Sequence, residues 1–451
     1  MSADSPVIDA LCRLLETGDE ADRCYAARAL GSAGDPAAVP PLLERLRDED
    51  IDVCVDAAEA LGRIGSAEAV PALVESLSND PSGEVCTAIT QALGRIGGSE
   101  AAGALRRVAE ERPAEIEWND DWDTWWDVQR EAVIALGRFR DPAAVPALIR
   151  ILEDETQQDI ESEIVTALAR IPEGGVSYLI DRLGDTGRLP QHRRRAAQAL
   201  AGAGTESEAV TRALGQALKD PAPEVRAAAV RALAQQGARR YLRALLLLLR
   251  DPDAEVREAA LSAVIQLDRN LGNGADSELL ALADDPDSRV RASLFNLLLS
   301  SGGTLSLTEE MREKVEASLD DAHAETAAAA CALLGHSGDP QAVPALLSLL
   351  GDRQRHPMVR REAALGIGRL GATGNDVLDT LSRAVTDPEQ AIRLAALSAL
   401  MMLDASAETR AAQAEAGDGA RTPLQIVVTA MQGEIEIGDG EDGGTGPETE
   451  T

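Results

Sequence analysis

The chain has 451 residues and a formal net charge of −34, because 77 acidic residues face only 43 basic ones. This acid excess repels phosphate backbones and disfavours nucleic acid as a partner. The longest apolar run, residues 244–249, is too short to span a bilayer, and the first residues show no signal peptide, so we expect a cytoplasmic protein with no membrane contact.

The first element of the chain to stand out is a pair of short amphipathic helices within residues 35–65. Apolar residues from Val39 to Leu46 recur at i, i+3, i+4 and i+7, which predicts one helix, called helix A. Those from Val53 to Ile64 predict a second, helix B, which Gly65 ends. Two helices this short cannot bury their apolar faces on each other alone, so the pair needs copies on both sides.

Similar pairs recur along most of the chain. The last large apolar residues of the helix B segments lie 31 to 36 residues apart, except for 43 between the third and fourth. These residues, which we call the anchors, are Leu30, Leu61, Leu93, Leu136, Leu168, Leu200, Leu233, Val264, Leu298, Leu334, Ile367 and Leu400. This spacing predicts an all-α, right-handed α-solenoid of about twelve helix pairs over residues 1–404, with helix B on the inner face.

The repeated phrases carry a resemblance to a known family. Residues 141–148 (DPAAVPAL) and 339–346 (DPQAVPAL) repeat the start of the 35–65 unit almost letter for letter. The pattern is similar to HEAT-like repeats, in the short form found in phycobilisome bilin lyases. Such proteins in salt-adapted archaea include some linked to taxis and motility signalling. Because lysine stands only at Lys219 and Lys314, the composition also suggests a salt-adapted, haloarchaeal-like source.

The resemblance implies a ladder of aspartate and arginine side chains that links neighbouring units. Its members here are Arg23, Arg193, Arg226, Arg257, Arg291, Arg360 and Arg393, with Asp220, Asp251, Asp285 and Asp387. In the second to fifth helix pairs, other residues stand in place of the arginine: Cys54, Cys86, Gln129 and Glu161. The tenth helix pair also lacks the arginine and has Ala327 at this position.

An insertion at residues 111–126 falls among the same helix pairs, the second to the fifth. It holds every tryptophan of the chain, and large rigid rings next to small acids are typical of protein-binding hot spots. The predicted partner-binding residues are Trp118, Trp122, Trp125, Trp126, Asp120, Asp121, Gln129 and Glu161. An alternative is that the rings fold back as a plug over the groove of the third to fifth helix pairs.

The repeat pattern stops near residue 404. Residues 405–451 form an acidic tail, partly disordered by composition, in which the alternation at residues 424–437 predicts a short β-like segment.

No residue pattern indicates catalysis. The four histidines, His192, His323, His336 and His356, lack metal-ligand spacing, and the five cysteines form no C-x-x-C pair. We therefore expect no catalytic residue, no metal and no cofactor. Arginine clusters at residues 193–195, 239–243 and 353–361 either form an anion-binding face or neutralise acidic neighbours.

The expected function is accordingly a non-catalytic scaffold or adaptor, not an enzyme, in a signalling or taxis assembly. One or more proteins would bind its concave face and the tryptophan-rich insertion. The alternatives are a bilin-lyase-like or other lyase or hydrolase activity built on the repeats, and a HEAT-like nucleic-acid-binding protein.

Overall fold

The computed structural model describes residues 6–79, 82–111, 123–153, 160–203, 207–267, 276–300 and 308–413. Within these ranges the chain is helical and contains no strand. It divides into two compact units, Met1–Ala238 and Arg239–Thr451.

The first unit contains seven helix pairs. Their helices are α1 (Pro6–Thr17), α2 (Glu20–Ala33), α3 (Val39–Arg45), α4 (Ile51–Ile64), α5 (Val70–Asn79), α6 (Gly83–Ile96), α7 (Ser99–Glu110), α8 (Asp123–Phe139), α9 (Val145–Glu153), α10 (Glu161–Arg170), α11 (Gly175–Gly184), α12 (Pro190–Ala201), α13 (Glu208–Ala217) and α14 (Pro223–Gln235).

The second unit contains five pairs. Their helices are α15 (Leu242–Leu248), α16 (Ala254–Leu267), α17 (Asp276–Leu282), α18 (Ser288–Ser300), α19 (Glu309–Ala317), α20 (Ala324–His336), α21 (Val343–Gly351), α22 (Pro357–Leu370), α23 (Asn375–Ala384) and α24 (Gln390–Gln413).

The even-numbered helices are the predicted helices B. Each predicted apolar anchor lies on one of them, and all except Leu298 are fully buried. Within each unit, successive even-numbered helices pack on one another, as α2 does on α4 and α20 on α22. The prediction of an all-α solenoid of twelve helix pairs is confirmed.

Local sequence explains where these helices begin and end. In the phrase that opens at Asp35, the Asp35 carboxylate accepts from the Ala37 amide, and Pro36–Ala38 form a 3₁₀ turn before α3 starts. Asp50 caps α4 by accepting from two amides of its first turn. Gly65 ends α4 in the left-handed conformation, at φ 74°.

A second glycine of the same phrase has a different role. Gly62 lies inside α4, and a Cβ built on it would stand 2.7 Å from the Cα of Ala92 in α6. Any side chain at residue 62 would therefore overlap the next helix. Gly137 meets Ala167 in the same way. Neighbouring helices can approach this closely because small residues face each other.

The C-terminal helix runs further than the repeat pattern predicts. α24 continues to Gln413, past residue 404, and the predicted β-like segment at 424–437 lies outside the described residues. Within the described ranges, no helix combines the length and apolar character needed to cross a membrane.

Candidate functional site

Most of the arginines that stand seven residues before an anchor link successive helix pairs. Arg257 on α16 donates from Nε and Nη2 to both carboxylate oxygens of Asp285, at 2.7 and 2.6 Å. Its Nη1 donates to the carbonyl oxygen of Asp251, at 2.9 Å. One guanidinium thus joins the end of its own helix A to the following pair. Two-pronged contacts of this kind are among the stronger hydrogen bonds in proteins.

The same arrangement recurs in both units. Other ladder arginines that contact an aspartate of the next pair are Arg23 with Asp48 (2.8 Å), Arg193 with Asp220 (2.8 Å), Arg291 with Asp321 (2.9 Å) and Arg360 with Asp387 (2.5 Å). Arg226 and Arg393 donate to the carbonyl oxygens of Asp220 and Asp387, at 2.9 and 2.7 Å.

Where the arginine is replaced, part of this pattern persists with uncharged groups. The thiol of Cys54 donates to the carbonyl oxygen of Asp48 at 3.4 Å, and Nε2 of Gln129 donates to that of Ala109 at 2.7 Å. Both carbonyls belong to the end of the same pair's helix A. Gln129 is fully buried, so its side chain lies within the stack and not on an exposed surface.

At Glu161 the ladder position carries the opposite charge. Glu161 is 5% exposed and accepts from Nη2 of Arg182 at 2.9 Å, and it also pairs with Arg195. Arg182 is also buried and belongs to helix A of the next pair. Here helix B supplies the carboxylate and the next pair the arginine, which reverses the charges of the other ladder contacts. The sequence shows the glutamate but not its partner.

A second carboxylate extends this cluster. Glu153 accepts from Arg188 at 2.9 Å and from Tyr178. Burial raises the pKa of Glu153, but these hydrogen bonds outweigh burial and lower it overall. His192 nearby has a lowered pKa because burial and the charges of Arg182 and Arg188 disfavour its protonated form. Glu153 and Arg188 thus neutralise each other at a partly exposed position beside the buried pair of Glu161 and Arg182.

The predicted tryptophan surface is described only in part. Trp118, Asp120, Asp121 and Trp122 lie outside the described residues. Trp125 and Trp126 lie in the first turn of α8, and both are half-buried.

A concavity of ≈ 530 Å³ lies on the second unit, along helices α16, α18, α20 and α22, and we call it the α16–α22 groove. Its lining residues are Glu258, Arg289, Ala292, Ser293, Asn296, Glu325, Ala328, Ala329, Ala332, Met358, Arg361 and Glu362. Alanines form its floor and charged side chains its sides. Its size lies within the range of ligand pockets.

The acidic residues of the α16–α22 groove differ in how they are engaged. Ser293 donates to Glu258 at 2.9 Å, and Arg361 pairs with Glu362 at 3.1 Å. Glu325 is exposed and makes no hydrogen bond or ion pair with other described residues. Met358 is 40% exposed beside these charges. The sequence did not reveal this site, because its residues come from four helices spread over a hundred residues.

Comparison with known proteins identifies the family. The model of HEAT repeats matches residues 8–94, 41–117, 121–201, 176–265, 211–298 and 313–401. The chain therefore belongs to the HEAT-repeat family.

The curated relatives are enzymes by name. The chain is 43% identical over 61 residues to deoxyhypusine hydroxylase of Arabidopsis thaliana, and 46% identical over 55 residues to that of Rattus norvegicus. These matches cover 13% and 12% of this chain, and 19% and 18% of the relatives. The expectation of a non-catalytic scaffold that is not an enzyme is wrong in view of these relatives. Hydroxylation is also neither of the two alternatives, which were a lyase or hydrolase activity and nucleic-acid binding.

The chain thus spans about a fifth of the length of these relatives. Among solved structures, Kap121p bound to Pho4p matches 91% of this chain and 47% of its own, with a TM-score of 0.52 and 13% identity. At this identity the match shows a shared solenoid fold.

Proposed function

We propose that this protein binds a polypeptide partner in the α16–α22 groove, and that the bound segment carries lysine or arginine side chains. The observation that supports this most directly is Glu325, an exposed carboxylate without a partner among the described residues, beside an alanine floor. A cationic side chain would gain an ion pair there while its aliphatic stem covers the alanines and Met358.

The fold is compatible with this proposal. The Kap121p structure of similar fold is a complex with another protein, Pho4p. A long row of parallel helices offers an extended surface on which a polypeptide can lie. Binding and catalysis are compatible, because an enzyme that modifies a protein must first hold that protein.

The proposal is tested by selecting peptides from a random library on the purified full chain. We expect the recovered peptides to be basic, and their affinity to fall about tenfold or more for Glu325→Lys, because like charges would then meet. Ala332→Trp should also block binding by filling the groove. Glu310→Lys makes the same charge change on α19 outside the groove and serves as the control. Peptides without basic residues, or equal losses for both glutamate variants, would contradict the proposal.

The relatives' name brings a second candidate function, hydroxylation of deoxyhypusine. Inserting oxygen into a C–H bond requires an oxygen-activating group, for which iron held by histidine and carboxylate is a frequent solution. Among the described residues, the potential ligands that come together as a group of three are Glu20, Asp50 and Asp52. This group contains no histidine, and none of the four histidines belongs to such a group. The described donor set therefore does not fit a histidine-bound iron.

A direct assay decides this second candidate. The full chain is incubated in air with Fe(II), a deoxyhypusine-containing protein and a two-electron reductant, which converts the second oxygen atom of O2 to water. Mass spectrometry then detects whether one oxygen atom is added to the substrate protein. Addition of oxygen would establish the activity and would require a ligand set that the described residues do not bring together, since all four histidines lie among them. If no oxygen is added and iron does not bind tightly, the similarity to deoxyhypusine hydroxylase reflects the repeat fold and not the reaction.

A further inference from the structure

We propose that the second unit carries a binding site for a phosphoryl group, formed by Arg353 and Arg383 from two successive helix pairs. The two arginines line a concavity of ≈ 300 Å³ between α21 and α23, together with the hydroxyl-bearing Ser348 and Thr380. It shares no residue with the α16–α22 groove, so it stands independently of the proposed polypeptide site.

Arg353 differs from its arginine neighbours in the sequence. Arg355 pairs with Asp320 and Arg360 with Asp387, so these two guanidinium groups are neutralised. Arg353 is exposed and makes no hydrogen bond or ion pair within the described part of the chain. The neutralising role suggested by the sequence thus applies to most of this cluster but not to Arg353.

Arg383 reaches the concavity from the following helix pair and is also without a carboxylate partner. Its Nε donates to the carbonyl oxygen of Asp379 at 3.1 Å, and its Nη2 to the hydroxyl of Thr380 at 3.4 Å. Thr380 donates in turn to the carbonyl oxygen of Asp376 at 2.8 Å. These contacts orient the guanidinium while leaving donors unused, because arginine has five N–H groups.

The charge of this concavity is opposite to that of the whole chain. Three arginines and one aspartate line it, and the aspartate, Asp387, is buried and already bonded to Arg360. The α16–α22 groove, in contrast, is lined by three glutamates and two arginines. In a protein of net charge −34, Arg353 and Arg383 thus share a concavity in which neither forms an ion pair with another described residue, although the charge of Arg353 contributes to lowering the pKa of Asp387.

The arrangement fits a phosphate monoester or free phosphate better than a single carboxylate. A phosphoryl group offers three oxygens, enough for two guanidinium groups and a hydroxyl donor at once. The hydroxyl of Ser348 makes no hydrogen bond with other described residues and supplies that donor. The concavity is also large enough for a small phosphate ester.

The test is calorimetric titration of the full chain at constant ionic strength with inorganic phosphate, O-phosphoserine and aspartate. We expect saturable binding of both phosphoryl compounds and about tenfold weaker binding for Arg353→Gln and for Arg383→Gln. Tighter binding of O-phosphoserine would indicate an esterified group as the natural ligand, and tighter binding of inorganic phosphate a free anion.

Arg369→Gln is the matched control, because Arg369 is an exposed arginine of α22 outside the concavity. Circular dichroism verifies that each variant is folded. The proposal is overturned if the wild type shows no saturable binding, if aspartate binds as well as phosphate, or if Arg369→Gln weakens binding as much as the other two variants.

Discussion

At the scale of single residues, the buried pair of Arg257 and Asp285 makes the most direct prediction. Both side chains are nearly inaccessible, so Arg257→Met leaves the Asp285 carboxylate buried without its cation. We expect a loss of about 3–5 kcal/mol in the stability of the second unit, seen as a lower urea midpoint by circular dichroism. Arg289→Gln, which breaks an ion pair of a 66% exposed arginine, should leave the urea midpoint almost unchanged. Equal midpoints for the two variants would contradict this ranking.

The ladder aspartates also predict a response to acid. Burial raises the pKa of Asp387, but hydrogen bonds from Arg360 and from the Glu389 amide outweigh it and lower the pKa overall. A carboxyl with a depressed folded-state pKa stabilises the fold above its unfolded pKa, near 3.9, and loses this contribution as the pH falls through the folded value. Thermal unfolding should therefore shift downward below about pH 4. Asp387→Asn should be less stable at neutral pH and should shift less with acid; an equal shift would refute the assignment.

At the scale of helices, the close contact at Gly62 predicts that even a methyl group is harmful. Gly62→Ala places a Cβ 2.7 Å from the Cα of Ala92, so α4 and α6 must separate. We expect a loss of about 1–3 kcal/mol by denaturant unfolding. Gly351→Ala, at the end of α21 with no atom within 4 Å of the added carbon, should be neutral or slightly stabilising. A destabilised Gly351→Ala would show that helix contact is not the cause.

The same contact shows what the sequence could and could not predict. Period and spacing located all twelve helix pairs, because burial of an amphipathic face leaves a local signature. At residues 62 and 65, however, the sequence predicted only the helix end at Gly65, which the structure has, and not the contact of Gly62 with α6. The available signal was the alanine that stands before most anchors, such as Ala92 before Leu93, since it faces the glycine of the preceding pair. The α16–α22 groove depends on residues distant in sequence and left no such signal, whereas the arginine cluster at residues 353–361 indicated part of the second concavity.

The tryptophan-rich insertion remains a predicted partner surface, and its fluorescence can test this. All four tryptophans of the chain lie there, so intrinsic emission reports on this segment alone. In a Trp125→Phe, Trp126→Phe variant the emission comes from Trp118 and Trp122. If these rings face a partner, acrylamide should quench them almost as strongly as free tryptophan in the unbound protein. Protection from acrylamide would favour the alternative, in which the rings cover the groove of the third to fifth helix pairs as a plug.

At the scale of the whole molecule, the net charge of −34 predicts that folding depends on salt. Crowded carboxylates repel one another, and the screening length grows from about 3 Å at 1 M to about 30 Å at 0.01 M salt. We expect the helical circular dichroism signal to fall on dialysis from molar to millimolar salt and to return when salt is restored. An unchanged signal would mean that the acidity serves a partner instead of a saline habitat.

The contact between glycine and alanine also has an evolutionary consequence. Gly31 meets Ala60, and Gly62 meets Ala92, so α2 and α4 each present a glycine to the next helix B, and α4 and α6 each present an alanine to the previous one. Excising residues 35–65 would place Gly31 opposite Ala92, a junction of the kind already present. Where this contact is present, the array can therefore gain or lose whole helix pairs by duplication and deletion without requiring a new interface at the point of change.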